Sequence, residues 1–200
     1  FLCVALFFLY LMGQNVISYL QLNKKLKFNS AIYILLLFFA SVSVISIINE
    51  WNQNIPFPAD MKDAEISMRK MEDQAQIFSE VFLNTATIQG LIINILLIGV
   101  LAAVGEEIFF RGLLQNLFLK GTGNAHVAIW ISAFLFSFIH FQFFGFFPRM
   151  LLGAMIGYLF YWSGSLWAAI LAPVSYTHLR AHETVLDLVC RLLLEKQKNT

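Results

Sequence analysis

Across 200 residues the chain is 59% hydrophobic and only 12% charged, with a formal net charge of +1. A soluble domain keeps about a quarter of its residues charged; half that fraction, with apolar runs of spanning length, points to an all-α polytopic membrane protein of about five to six spans. There is no basic stripe to hold nucleic acid, and Cys3 and Cys190 have no spacing for a disulfide framework or a zinc site.

A bilayer core of about 30 Å takes roughly 20 mostly apolar residues as helix. The chain opens on Phe1 inside an apolar run that reaches Leu20. With no basic n-region, this reads as the remnant of a first span and not as a signal peptide. LNKKLKFNS follows, with Lys24, Lys25 and Lys27 and no acid, and reads as cytoplasmic by the positive-inside rule. Ser30 to Ile48 is a clean second span. The acidic stretch from Asn49 to Asn84 then falls on the opposite side. Asp60 is a candidate N-cap there, and Ala64, Met68, Met71, Ala75, Phe78 and Phe82 recur at spacings of four and three, which predicts an amphipathic packing helix. From Thr85 the chain is apolar for longer than one span needs, ending towards the cytoplasm with Arg111 and Lys120. His126 to Phe147 and Met150 to Trp162 are further spans, and a last one starts at Leu166.

At Val174 the membrane character stops. VSYTHLRAHET resembles one reading frame of a transposase-type sequencing adapter, and LVCRLLLEK resembles the far end of the same adapter. Residues 1–173 are therefore expected to be the natural domain, truncated at both ends, and residues 174–200 adapter read-through. Without that tail the chain has nine basic and nine acidic residues. His178 and His182 at i, i+4 beside Glu183 mimic a helical metal site, and are set aside with the tail.

VGEEIFFRG (Val104 to Gly112) places three ionisable groups in an apolar run. Each costs about 2.5–3.5 kcal/mol in hydrocarbon unless it has a partner or a water-filled cavity. On a helix Glu107 and Arg111 stand i, i+4 with the acid first, the favoured order for an ion pair. Glu106 is rotated about 100° away and has no such partner. Two readings fit equally: a buried cluster that only sets helix register, or a structural pair beside a free glutamate poised as a general base. His140, the one imidazole in AFLFSFIHFQFF, tilts the balance, because a Glu and a His on neighbouring helices would hold one water between them or ligate a metal.

EEIFFR matches an EExxxR motif and FSFIH (Phe136 to His140) an FxxxH motif. Together they resemble the CPBP family of intramembrane metalloproteases, the CAAX-protease and bacteriocin-processing group related to type II CAAX prenyl endopeptidases. The resemblance takes in the FPADM…MEDQAQ loop and SGSLWAAILA, most of residues 30–172. It implies an integral protein of a bacterial cell membrane that cleaves peptide or protein substrates. Glu106 would activate water, Glu107 with Arg111 would support it, and His140 would be the second catalytic or metal-coordinating residue. The cofactor stays open, zinc included, since Glu106, Glu107 and His140 are too few ligands for a closed zinc site. The family's third motif, a His with an Asn four positions on, would fall at Pro173 and Thr177, where it is absent. A histidine codon cut after its first base and completed by the adapter would read as proline, so Pro173 is expected to be a broken histidine and the chain as it stands inactive. Two rivals share the residues: a non-catalytic immunity or scaffold protein of the same fold, and a proton-coupled transporter. No paired broken helices or inverted repeat favour the second.

Overall fold

In the computed structural model the protein is all-α. The structure describes residues 1–13, 15–83, 90, 93 and 100–174, and among these there is no strand. The suspected adapter tail from residue 175 on, with His178, His182, Glu183 and Thr177, lies outside the described residues, as does most of the apolar run from Thr85 to 99.

The first apolar run is not one rod. It folds as α1 (Leu2–Leu11), a turn through Gly13 at φ 62°, and the single turn α2 (Val16–Tyr19), capped by the Asn15 side chain. The sequence between Leu11 and Val16 is MGQN, which favours a turn over a helix interior, and that divides the expected span.

Next comes α3 (Phe28–Gln53), 26 residues long with a window of mean hydropathy 2.7 of which only 12% is buried. Phe28, Tyr33, Leu36, Val44 and Ile47 all stand exposed along it. A helix that is apolar all round yet faces outward is solvated by lipid, not by a protein core. The second helix of spanning length and hydropathy runs over Phe143–Ser163; the two are the described helices that meet that test.

α4 (Lys62–Leu83) is the amphipathic helix of the acidic loop. Its start differs from expectation. Pro58 leads a short 3-10 turn, Ala59–Met61, so Asp60 sits in the first turn instead of capping the helix. Asp63 and Glu65 then place negative charge at the helix N-terminus, where the macrodipole favours it.

α5 (Ala102–Glu107) runs without a break into a π-helical segment, π1 (Ile108–Gln115), and then α6 (Asn116–Thr122), which ends at Gly123 with φ 66°. α7 (Ala125–Phe138) is capped by the Asn124 side chain, which accepts from the N–H groups of His126 and Val127. A 3-10 turn, Phe143–Gly145, leads into α8 (Phe146–Ser163), and a last helix, α9, covers 166–174.

α7 packs along α8, and π1 lies against α1 and α7, while α3 flanks α8. The main core gathers Leu9, Leu20, Phe38, Ile108, Leu113, Ile156, Phe160, Leu166 and Ala169, from α1, the end of α2, α3, π1, α8 and α9. Lys120 lies over the Tyr19 ring, and the Ser165 hydroxyl donates to the Lys24 carbonyl, so Lys24 and Lys120 lie at one end of the bundle. At the other end Asn52 of α3 donates to the Phe143 carbonyl, and Arg69 of α4 covers the Phe144 ring at 4.2 Å.

Candidate active site

The two glutamates part company at the junction of α5 and π1. Glu107 is buried and its Oε1 lies 2.9 Å from Arg111 Nη1, both side chains being almost wholly inaccessible. The ion pair read from sequence is present, although Arg111 sits in the π-helical stretch and not on a regular α-helix. A π-helix bonds i to i+5 and is frequent at functional sites. Here the Phe110 carbonyl within it accepts from the buried Ser132 hydroxyl of α7 at 2.9 Å.

Arg111 is held on three sides. Its Nη2 donates to the Gly153 carbonyl at 3.2 Å, and its guanidinium lies 4.6 Å over the Phe136 ring. One turn on, Gln115 donates to the Gly157 carbonyl at 3.0 Å. Both contacts pair residues 42 apart, so π1 and α8 run in the same direction, with two side chains on one reaching two carbonyls on the other. The glycines make room for this. A Cβ on Gly153 would come within 3.4 Å of Arg111 Nη2 and 3.1 Å of Phe136 Cδ1, and one on Gly157 within 2.9 Å of Gln115 Oε1.

Glu106 turns the other way. Its side chain is about 25% exposed and faces His140, with 4.0 Å between Oε1 and Nε2. His140 is not within a span helix, as the sequence suggested, but two residues beyond the end of α7, in the turn that Phe141 reverses at φ 51°. Its Nδ1 lies 2.7 Å from the Phe136 carbonyl. A carbonyl only accepts, so Nδ1 carries the proton, and the Nε2 facing Glu106 holds the lone pair when the ring is neutral.

Phe136 therefore joins the two motifs. Its ring takes Arg111 on one face and packs edge-on against Phe110 and His140, with centroids 5.1 and 5.0 Å away, while its carbonyl orients the imidazole. Neither its place beneath Arg111 nor the two glycines could be read from the motif spacing alone.

Sequence reasoning passed over Gln142 and Arg149. Arg149 of α8 donates from Nη2 to Gln142 Oε1, and its charge acts on Glu106, His140 and Glu72. The signal was available, since Arg149 is another cation in an apolar run.

A resident metal does not fit the donor set. Among the described residues no group of three or more His, Cys, Asp or Glu side chains comes together, and Glu106 with His140 supplies only two ligands. Pro173 is part-buried in α9 and offers neither donor nor acceptor from its side chain.

The described residues thus combine apolar, outward-facing helices with a Glu–His pair at a helix junction. Residues 88–177 match the family described as Type II CAAX prenyl endopeptidase Rce1-like, the group that the EExxxR and FxxxH motifs resemble. Over that segment, just under half of its length, the chain is similar to that family. The match contains Glu106, Glu107, Arg111 and His140, and begins after the FPADM…MEDQAQ loop that the resemblance had included. No curated protein and no solved structure matches the chain.

Proposed function

We propose that the protein is an intramembrane endopeptidase, a bundle of about five to six spans in a bacterial cell membrane, in which Glu106 and His140 activate a water for attack on a peptide carbonyl. The observation that carries this reading is the pairing of a part-exposed Glu106 with a His140 whose free Nε2 points at it across 4.0 Å. That distance is too long for a direct hydrogen bond, yet it leaves both atoms within reach of one water molecule. Glu106 takes the proton of the attacking water. His140, held in one tautomer by Phe136, orients that water through Nε2. Glu107 and Arg111 neutralise each other and fix the junction on which Glu106 stands.

Helix length supports a site inside the bilayer. α7 has 14 residues and so spans about 21 Å, short of the roughly 30 Å core. The turn carrying His140 then lies within the membrane's depth, where non-helical backbone is tolerated beside a cavity or buried in protein. The turn faces α4, so substrate reaches the pair from the α4 end of the bundle. A histidine at position 173, with an asparagine at 177, would complete the site.

The test is peptide cleavage by the full chain, and by a form carrying Pro173→His with Thr177→Asn, in nanodiscs, each with and without Glu106→Gln. Cleavage that Glu106→Gln reduces by about 10²-fold or more supports the reading. Undiminished cleavage removes Glu106 as the base, and cleavage by neither parent leaves the non-catalytic reading in its place.

A further inference from the structure

Arg149 is a second arginine in the spanning region, and its surroundings are the reverse of those of Arg111. Arg111 has a carboxylate at 2.9 Å, a backbone carbonyl and an aromatic face. Arg149 forms no ion pair among the described residues. Its Nη2 is tied to Gln142 Oε1, while its Nη1 is buried and has no hydrogen-bond partner among the described residues. Gly145 is what lets the guanidinium lie there, since a Cβ at that position would stand 3.1 Å from Nη2. The crook formed by Gln142, Gly145 and the start of α8 thus holds the cation in one place, on the same turn that presents His140.

A cation in a membrane span requires an accepting partner. The acidic groups on which Arg149 acts are Glu106 at the site and Glu72 on α4, and neither comes close enough to pair with it. A buried N–H without a partner costs about 1–3 kcal/mol, so a donor kept in that state is best explained by an acceptor that arrives with the reaction.

We propose that Arg149 Nη1 is the donor to the scissile carbonyl oxygen of the substrate. The inference rests on the protease reading above. Water oxygen adds to the carbonyl carbon while its proton passes to Glu106, and the C=O π pair moves onto the oxygen. Arg149 donates to that oxygen as its charge develops. The pair then returns, the C–N bond breaks, and the amine leaves with the proton held by Glu106. Gln142 and Gly145 are positioning residues for the guanidinium.

The experiment compares binding of a peptide with that of its phosphonamidate analogue, whose anionic tetrahedral centre mimics the intermediate. Wild type, Arg149→Gln, Arg149→Lys and Glu106→Gln are prepared as full chains in nanodiscs. The expected result is that wild type prefers the analogue and that Arg149→Gln loses about 10²-fold of that preference. Its affinity for the plain peptide and its melting temperature stay within about two-fold and a few degrees of wild type, and Arg149→Lys recovers part of the loss. Equal preference in wild type and Arg149→Gln overturns the inference, as does a wild type with no preference, or a loss shared equally by peptide and analogue. Failure of the protease reading has a different signature: no peptide is cleaved, while the preference for the analogue and its dependence on Arg149 persist.

Discussion

Glu106 and Glu107 are chemically identical neighbours with opposite surroundings. Glu107 is dry: its side chain is about 3% exposed, its partner Arg111 is as deeply buried, and that partner is itself held by Phe136 and Gly153. Glu106 is about a quarter exposed and faces an imidazole it does not touch. One residue of helix rotation separates a buried, paired carboxylate from a part-exposed one that faces an imidazole. The difference shows that a run of ionisable groups in a membrane segment has to be read by helix face and not as a cluster.

The contrast breaks most sharply by exchanging the two acids for amides. In the active form, Glu106→Gln should lower kcat by about 10²–10⁴-fold with little change in melting temperature. Glu107→Gln should instead lower stability. The same outcome for both variants, measured by cleavage rate and thermal unfolding, would erase the distinction.

On the dry side, Arg111→Met leaves Glu107 buried without its cation and should cost about 3–5 kcal/mol. Replacing both partners with methionine should recover much of that loss, because a buried ion pair is often no more stabilising than apolar residues of like volume. Reversible unfolding in mild detergent reads both. A double variant as unstable as the single one would mean the pair contributes more than neutralisation.

The glycine contacts sharpen the same comparison at smaller scale. Gly157→Leu would drive a side chain into Gln115 and Ile129, with an expected cost of about 1–3 kcal/mol. A similar change at Gly121, which has nothing within 4 Å of a Cβ, should leave stability near wild type.

The smallest effect is expected at Glu72, on α4 outside the spans. Partial burial pushes its carboxyl above the ordinary value, although the Phe144 N–H, Arg149 and Arg69 pull the other way. A carboxyl whose folded pKa is raised favours the fold at low pH and loses that contribution as pH climbs through the folded value. Wild type should therefore lose a little stability as pH rises from the ordinary carboxylate range, and Glu72→Gln should flatten the slope. An unchanged slope in thermal unfolding against pH would show that α4 does not bury this group.

Much of the site was legible before any fold was known. Glu106, Glu107, Arg111 and His140 stand out because ionisable residues in hydrocarbon demand a reason, and the i, i+4 spacing alone predicts the Glu107–Arg111 pair. Arg149 met the same criterion and was missed because no near neighbour in sequence gave it a partner. Its companions, Gln142 and Gly145, become meaningful only once the turn brings them around the guanidinium.

Composition and apolar run length by themselves determined an all-helical, membrane-seeking chain, because backbone groups in lipid are satisfied within helices and each span has a length set by the bilayer. Local spacing determined which charges can neutralise each other. The tertiary structure alone decided that α7 stops short and leaves His140 in a turn, that Phe136 fixes its tautomer, and that Arg111 and Gln115 reach across to Gly153 and Gly157. Those contacts join residues up to 42 positions apart, and their geometry depends on how helices cross, which no periodicity within one helix encodes.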